Sequence, residues 1–420
     1  MDVLTATIKR IQYIFEEFES VCLSVSGGKD SGILLYLFDK VAGEWGYKFD
    51  VLILDIEANY SETVAFLNRS MCLKNIREVY HFCLPFYEDN NSSIFQSQWM
   101  MWNPNEQEKW IHEMPKHAIT ISNMEKTLIP YFERAHGNPD SFLRLFSTWY
   151  KEKNNCDLVG IGVGIRTQES LNRYRAIHYG INKYKSKNWI NKYKDGIYNF
   201  YPIYDWKVED VWGAVSKYDF DYNHIYDHML RLGVPLSEMR ICQPFGLTQR
   251  RALNQFAELE PELWERLVNR VSGANFGSIY SKTSILGHVK TQKPAHLTWQ
   301  QYAVFLLESY GFYSPLLRDH YYRKIKILMN YYKNKFQMDL EDIVEEASRK
   351  EWMDDEKLWH NWKGIARALE KNDFALTSRD YSLTRQDETE LYALYDQYKD
   401  TLGIDQLNGK EYQHIVRELR

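Results

Sequence analysis

The sequence has little cysteine, and the cysteines that it has are scattered. There are five, without any C-x-x-C pair: Cys22, Cys72, Cys83, Cys156 and Cys242. Four-cysteine zinc sites and iron–sulfur clusters use closely spaced cysteines, so these spacings argue against both. We expect no iron–sulfur cluster and, in a reducing compartment, no structural disulfide.

A long apolar run is also missing. No segment approaches the about 20 apolar residues that a membrane-spanning helix needs. Residues 1–19 carry charges every few positions and contain no small-residue cleavage site, unlike a secretory signal. We therefore expect a cytoplasmic protein that makes no membrane contact.

The chain has no strong excess of charge of either sign. Its 52 Lys and Arg residues stand against 57 Asp and Glu residues, which gives a formal net charge of −5. With 44% hydrophobic and 26% charged residues, the composition is typical of a folded globular protein. A length of 420 residues favours two domains.

The first half of the sequence alternates between strand-like and helix-like segments. Short apolar runs of strand length occur at residues 21–25, 51–55, 78–82 and 158–162. The segments between them place apolar residues at helical spacing. This rhythm predicts an α/β domain, with a parallel twisted sheet and helices on both of its faces.

Two further features define the predicted domain organisation. An aromatic, helix-leaning insertion at about residues 85–155 separates the third and fourth strands, and such insertions commonly form lids and substrate walls. Beyond residue 217 the pattern is almost wholly helical. We predict an α/β domain at residues 1–217 and an all-α domain at residues 218–420.

One strand-to-helix turn has the composition of an anion-binding loop. The glycine loop, residues 26–31, reads Ser26-Gly27-Gly28-Lys29-Asp30-Ser31. Glycines let the backbone approach phosphate oxygens, and the new helix offers unpaired N–H groups and its positive dipole end. The Walker spacing is absent. Asp30 is unusual beside phosphates unless it also binds Mg²⁺. The alternative is an ordinary turn in which Ser31 or Asp30 caps the helix.

Three more segments, together with the glycine loop, resemble phosphoadenosine phosphosulfate (PAPS) reductase-like proteins of the adenine nucleotide alpha-hydrolase-like superfamily. They are Leu54-Asp55-Ile56-Glu57-Ala58-Asn59-Tyr60-Ser61-Glu62-Thr63, then Gly164-Ile165-Arg166-Thr167-Gln168-Glu169-Ser170 with Arg173, and Tyr201-Pro202-Ile203-Tyr204-Asp205-Trp206 followed by Glu209-Asp210-Val211-Trp212. They cover about the first half of the chain, in the order that the family has.

The resemblance implies an adenine nucleotide ligand, either ATP or a PAPS-like sulfonucleotide. It places the nucleotide at Ser24, Ser26, Gly27, Gly28, Lys29, Asp30, Ser31, Asp55, Glu57 and Gly164. Lys29, Arg166 and Arg173 would act on the reacting group. Because the two arginines are seven apart, they can share one side of a helix and clamp a phosphate or sulfate. A salt-bridged surface helix is the alternative.

The sequence departs from PAPS reductases at the nucleophile. Those enzymes carry a cysteine in a Glu-Cys-Gly-type motif near the C-terminus, whereas the last cysteine here is Cys242, within Arg240-Ile241-Cys242-Gln243-Pro244. We expect Cys242 to be buried rather than reactive. Without a positioned thiolate, thiol-based sulfonucleotide reduction is not favoured.

The second half resembles the helical extension of a subfamily that includes the immunoglobulin-binding regulator A proteins. This resemblance rests on the layout and on the segment Arg240-Ile241-Cys242-Gln243-Pro244-Phe245-Gly246. It implies a ParB-like protein partner, because members are often encoded beside one.

These observations leave three functional hypotheses. The leading one is an ATP pyrophosphatase or adenylyltransferase, with Mg²⁺ bound at Asp30. The second is reduction of PAPS or adenylylsulfate with an external thiol. The third is a nucleotide-sensing regulatory subunit that does not hydrolyse its ligand and works with a ParB-like or DNA-bound partner.

A nucleic-acid partner is also left open. Basic residues alternate with aromatic ones at residues 183–194 and 318–335. This pattern suits nucleic-acid backbones and stacked bases, and it equally suits a solvated face whose aromatic residues belong to the core.

Overall fold

The computed structural model describes residues 2–90, 98–179, 182–245, 250–271, 293–379, 381 and 384–402. The described residues up to Val271 form one compact unit, and those from 293 onward form a second. None of the described helices has both the length and the apolar composition that a membrane crossing requires.

The first unit is built on a six-stranded sheet. Its strands are β1 (Ser20–Ser24), β2 (Phe49–Leu54), β3 (Ile76–Phe82), β6 (Val159–Val163), β7 (Ile190–Lys194) and β8 (Ile197–Phe200). Their order is β3-β2-β1-β6-β8-β7, and every neighbouring pair is parallel except β7–β8. The predicted α/β fold is therefore confirmed, with an antiparallel edge that the sequence analysis missed.

Helices alternate with these strands along the chain, and further helices come after the last strand. They are α1 (Val3–Glu17), α2 (Lys29–Trp45), α3 (Ser61–Ser70), α4 (Ile129–Arg134), α5 (Pro139–Lys153), α6 (Leu171–His178), α7 (Val208–Tyr218), α8 (Ile225–Arg231), α9 (Arg250–Leu259) and α10 (Pro261–Arg270). The aromatic insertion contains α4 and α5, as well as a separate antiparallel hairpin of β4 (Phe86–Asp89) and β5 (Gln98–Met101).

Two glycines in β6 let the sheet core close. A Cβ on Gly160 would lie 2.8 Å from the Phe200 ring, and one on Gly162 would lie 2.3 Å from Leu23. The bare backbone of β6 thus leaves room for neighbouring side chains, including Phe200, which stacks on Phe38 of α2 with 5.8 Å between ring centroids. Close packing of this kind holds α2, and therefore its N-terminus, against the centre of the sheet.

The helices that follow residue 217 belong to this first unit as far as Val271. Phe256 of α9 stacks on Tyr60 with a centroid separation of 3.8 Å, and the Glu260 carboxylate accepts from the Ser61 backbone N–H at 2.9 Å. The predicted boundary after residue 217, between two domains, stays a prediction. In the structure, the first compact unit extends to Val271.

The second unit is helical, as predicted for the C-terminal region. Its helices are α11 (Trp299–Tyr313), α12 (Pro315–Phe336), α13 (Arg349–Asp354), α14 (Trp362–Glu370) and α15 (Arg385–Leu402). Its core also holds a buried ion pair, since Lys324 of α12 contacts Asp387 of α15 at 2.9 Å with both side chains almost fully enclosed. This pair joins two helices that are distant in sequence.

Gly164, directly after β6, is packed against the start of α2. A Cβ there would lie 2.8 Å from the Asp30 carbonyl oxygen and from Ser31 Cα, which are backbone atoms that cannot turn aside. We expect Gly164→Ala to lower the free energy of unfolding by about 1–3 kcal/mol through overpacking, measured by urea unfolding.

Gly213→Ala is the matched control for Gly164→Ala. Gly213 lies in the interior of α7, and a Cβ added there meets no atom within 4 Å. Because alanine is the better helix former, we expect this variant to be as stable as the parent or about 0.5–1 kcal/mol more stable. Equal stability of the two variants would contradict the close approach at Gly164.

Candidate functional site

The glycine loop connects β1 to α2 with one residue in the left-handed region. Gly27 has φ +76°, and a Cβ on it would lie 2.8 Å from Thr63 Cγ2. Gly28 is extended and caps α2 without a side-chain hydrogen bond. Gly27 is therefore required by geometry, for its φ and for its close contact with α3, whereas a Cβ on Gly28 would meet its nearest neighbours at 3.5 Å, an ordinary contact.

The loop presents free backbone donors at the start of α2. The N–H groups of Gly27, Gly28, Asp30 and Ser31 have no acceptor among the described residues. Such groups, together with the positive end of the helix dipole, form an anion-binding site. The Ser26 and Ser31 hydroxyl groups lie 3.1 Å apart at the same turn. The arrangement can accept the oxygens of a phosphate chain.

Residues of α8 and of the segments just before and after it contact the loop. The Lys29 N–H donates to the Tyr226 hydroxyl at 3.0 Å, and Lys29 Nζ donates to the Met239 carbonyl at 3.0 Å. Asn223 donates to the Gly27 carbonyl at 3.0 Å. Sequence reasoning missed Asn223, Tyr226 and Met239, because no local pattern shows that they return to the loop.

Lys29 itself is almost fully buried. Burial lowers the pKa of its ammonium group, and the nearby Asp30 carboxylate partly opposes that shift. The Asp30 carboxylate lies 3.4 Å from Lys29 Nζ and accepts from Arg166 Nε at 2.5 Å. Asp30 is thus neutralised by two cations of the protein.

The two predicted arginines lie near each other but not on one helix. Arg166 precedes a short 3-10 helix (Thr167–Glu169), and only Arg173 lies in α6. Arg166 is buried, whereas Arg173 is about half-exposed. The Glu169 carboxylate contacts both guanidinium groups.

A third arginine joins this group, and sequence reasoning did not assign it a role. Arg240 donates to the Glu169 carbonyl at 3.0 Å. Four cations therefore lie around two acidic residues: the carboxylates of Asp30 and Glu169 contact Lys29, Arg166 and Arg173, and Arg240 binds the Glu169 backbone. The local excess of positive charge suits a polyanionic ligand.

Asp55 and Glu57 point into the protein instead of toward the glycine loop. Asp55 is buried, accepts from Asn59 Nδ2 at 3.1 Å and lies 3.2 Å from His81 Nε2. The Glu57 carboxylate is enclosed and pairs with Arg270 of α10 at 2.8 Å. Their predicted nucleotide contacts stay predictions, and the geometry favours structural roles.

The remaining predicted positions support the loop. Ser24 ends β1, where it is level with Leu52 of β2 and Val163 of β6. Gly164 lets the end of β6 approach the first turn of α2. Neither residue offers a charged group, so their contribution lies in the shape of the crevice between adjacent strands.

Most basic residues of the segment 318–335 form ion pairs. Arg318 contacts Asp319, Lys333 contacts Asp339 and Lys335 contacts Glu356, besides the pairs that Arg323 and Lys324 make with Asp387. In the segment 183–194, Lys185 contacts Glu17 at 2.5 Å. Nucleic-acid binding by these residues stays a prediction, and the ion pairs favour a solvated face.

Comparison with known proteins identifies the family. A model described as the phosphoadenosine phosphosulfate reductase domain matches residues 20–238, more than half of the 420-residue chain. The chain belongs to the PAPS reductase domain family. Residues 233–374 also match a domain of unknown function, DUF3440. The chain is 33% identical over 400 residues to the uncharacterized protein YbdN of Escherichia coli (strain K12), covering 93% of each protein.

Comparison with solved structures finds only distant similarities. The PAPS reductase of Candida auris in complex with phosphate is 12% identical and aligns over 53% of this chain and 84% of its own, with a TM-score of 0.30. The FMN adenylyltransferase of Candida glabrata in complex with ATP is 14% identical and aligns over 53% of this chain and 57% of its own, with a TM-score of 0.30. The NMN synthetase of Francisella tularensis is 13% identical and aligns over 70% of this chain and 99% of its own, with a TM-score of 0.29. Likenesses at this level carry no argument about ligands.

Cys242 lies just beyond the matched residues 20–238, close to the loop, and it is partly buried instead of fully buried as expected. Its neighbour Ile241 approaches Gly28, with Cγ1 3.5 Å from where a Cβ on that glycine would lie. Burial raises the pKa of the Cys242 thiol to about 11, although Arg240 partly opposes the shift. At neutral pH the side chain is therefore a thiol and not a thiolate.

This pKa predicts slow alkylation of Cys242. Relative to an ordinary thiol pKa of 9.0, a value near 11 leaves about 100-fold less thiolate at pH 8. We expect iodoacetamide to label Cys242 at least about tenfold more slowly than the exposed Cys72, because only the thiolate reacts. The rate at Cys242 should rise with pH up to about 11.

Peptide mass spectrometry after timed labelling measures both cysteines in one sample. Cys72 is the internal control for reagent and pH. Labelling of Cys242 as fast as Cys72 at pH 8 would contradict its raised pKa and restore it as a candidate nucleophile.

Proposed function

We propose that the protein binds ATP, or a related adenine nucleotide, at the glycine loop and acts as an ATP pyrophosphatase or adenylyltransferase. The observation that carries this proposal is the set of unpaired N–H groups at the start of α2, beside Lys29 and the buried Arg166. A phosphate chain supplies the oxygens that these donors lack.

The reaction follows from the charges around the loop. An acceptor oxygen attacks the α-phosphorus of ATP, the bond from that phosphorus to the bridging oxygen breaks, and pyrophosphate leaves with the electron pair. The attacking oxygen loses its proton to solvent, and with water as acceptor the products are AMP and pyrophosphate. The N–H groups and Lys29 would stabilise charge on the leaving group, and Arg166 and Arg173 would stabilise charge at the reacting phosphorus.

Binding requires a local rearrangement over the loop. Lys29 directs its N–H to Tyr226 and its Nζ to Met239. A bound phosphate would take both donors, while the Tyr226 hydroxyl could turn and donate to a phosphate oxygen. We infer that the segment from α8 to Met239 moves when the nucleotide enters.

Magnesium at Asp30 is the weaker part of this proposal. Mg²⁺ needs carboxylate oxygens that are free to coordinate, and Asp30 is already paired with Arg166 and Lys29. Asp30 can serve Mg²⁺ only after Arg166 turns toward the nucleotide. No step of the proposed reaction depends on this ion.

Two alternatives remain from the sequence. Sulfonucleotide reduction would need an external thiol, because Cys242 is held in its thiol form. A nucleotide-sensing subunit, acting with the ParB-like partner that the resemblance to immunoglobulin-binding regulator A proteins implies, would use the same loop without turnover. Tyr226 and Met239, which bind Lys29, favour the sensor as second candidate, since a ligand would change the position of the segment that carries them.

The sharpest test replaces Lys29 and compares it with a second lysine of the same helix. Loss of a charge-assisted hydrogen bond costs about 1.5–3 kcal/mol, so Lys29→Ala should weaken ATP binding about 10- to 100-fold in calorimetry. Lys40→Ala is the matched control, because Lys40 is a partly exposed residue of α2 whose contacts are with Glu44 and the Tyr218 ring and not with the loop. It should bind ATP as the parent does.

Turnover is measured in the same samples as pyrophosphate released from ATP. Release by the parent but not by Lys29→Ala supports the enzyme. Tight binding without release, alone or with the partner, supports the sensor. Sulfite release from PAPS with thioredoxin supports the reductase. Unchanged ATP affinity in Lys29→Ala would remove the basis of all three.

A further inference from the structure

A second group of chemically active side chains lies at the carboxyl ends of β2 and β3. Asp55 directly follows β2, His81 lies in β3 and Cys83 directly follows it. All three side chains are buried, and one ligand atom from each lies within 4.8 Å of the other two. Their proximity follows from the parallel register, in which Leu54 is paired with Phe82.

His112, from the aromatic insertion, points into the same group. Its Nε2 lies 3.6 Å from Asp55 Oδ1 and has no hydrogen-bond partner among the described residues, although it is buried. Its Nδ1 lies 2.9 Å from the Glu113 carbonyl oxygen. Because a carbonyl oxygen only accepts, Nδ1 carries the proton and Nε2 of the neutral ring presents a lone pair.

His81 is held in a similar way. Its Nδ1 lies 3.0 Å from Nε2 of His117, and its Nε2 lies 3.2 Å from Asp55 Oδ2. A hydrogen bond on the far nitrogen of a histidine is the usual second-shell support of a metal ligand, because it orients the ring and fixes the tautomer. His117 would give His81 that support.

Lone pairs therefore converge on Asp55 from more than one side. When His112 is neutral, its Nε2 and the Asp55 carboxylate are two acceptors that face each other. That arrangement is unfavourable without a cation between them. Cys83 adds a buried sulfur with no hydrogen bond in the described residues. A cation bound to Asp55, His81 and Cys83, whose ligand atoms lie within 4.8 Å of one another, would satisfy these atoms, and His112 would join them as a fourth ligand.

We propose that Asp55, His81, Cys83 and His112 bind a divalent transition metal, with Zn²⁺ the best match. Nitrogen, sulfur and carboxylate ligands in a tetrahedral arrangement are typical of zinc. At metal–ligand distances of about 2.0–2.3 Å, neighbouring ligand atoms are about 3.3–3.7 Å apart. His81 Nε2 lies 3.2 Å from Asp55 Oδ2 and His112 Nε2 lies 3.6 Å from Asp55 Oδ1, so the two rings flank the two oxygens of one carboxylate.

The charges balance in this site. One Zn²⁺, one carboxylate, one thiolate and two neutral imidazoles sum to zero, which suits a buried position. Burial and the nearby Asp55 and Glu57 carboxylates raise the pKa of the Cys83 thiol, and coordination to the metal would deprotonate it. The S–H bond breaks, the sulfur pair forms the metal bond and the proton leaves to solvent, so binding releases a proton.

A proton is the competing occupant of the same space. Burial lowers the pKa of His112, but the contact with Asp55 outweighs it and the net shift is upward. A protonated His112 would satisfy Asp55 without any metal, and it would leave Cys83 as a thiol. Spectroscopy of the sulfur separates the two cases, because only a metal forms a bond to Cys83.

The experiment uses the full-length protein and metal ions alone. We expect purified protein to contain about one zinc per chain by elemental analysis, and stripped protein to bind one Co²⁺. Cobalt bound to a thiolate gives a near-ultraviolet charge-transfer band, and a tetrahedral site gives strong visible bands. Neither zinc nor the charge-transfer band in the parent protein would overturn the proposal, whatever the variants do.

Variants assign the band to the site. Cys83→Ser should abolish the charge-transfer band, whereas Cys22→Ser, which changes another buried thiol of the same unit, should keep it. His117→Ala should keep the band and weaken cobalt binding about 10- to 100-fold, as for second-shell support. A band that survives in folded Cys83→Ser, checked by circular dichroism, would place the metal elsewhere and refute the assignment.

Discussion

The first unit depends on two close contacts around the start of α2, one with the backbone at the end of β6 and one with side chains of α3. The end of β6 touches the first turn of α2 through Gly164, and the loop before α2 touches α3 through Gly27. These contacts leave the N–H groups at the start of α2 facing the crevice between strands, where they cannot find partners in the sheet. An anion-binding turn is the physical consequence, because unpaired donors at a helix start attract negative charge.

A second constraint ties the aromatic insertion to the sheet. Glu57 has φ +61°, an unusual conformation for a residue with a side chain, and its carboxylate accepts from the Trp102 and Ile111 backbone N–H groups. Arg270 of α10 neutralises it. This buried pair holds the segment that contains His112 in place, so the strain at Glu57 has an identifiable function in the fold.

The nucleotide proposal and the metal proposal share one origin. In a parallel sheet, all carboxyl ends meet at one edge, so polar residues that follow neighbouring strands come together there. The residues after β1 form a backbone cradle, whereas those after β2 and β3 form a compact group of side chains. The first suits phosphate oxygens and the second suits a metal that prefers nitrogen and sulfur.

The sequence by itself determined the local features. Alternating apolar runs predicted the parallel sheet, two glycines before a helix predicted the loop, and helical spacing predicted an all-α second half. It missed the β7–β8 edge because β7, Ile190–Lys194, is rich in lysine, a composition that edge strands share with exposed loops. It also placed Arg166 and Arg173 on one helix, since spacing does not show where the helix begins. Only tertiary structure brought Tyr226, Met239 and Arg240 to the loop and His112 to Asp55. Contacts between residues far apart in the chain leave no periodic trace in the sequence, because they depend on how whole elements pack.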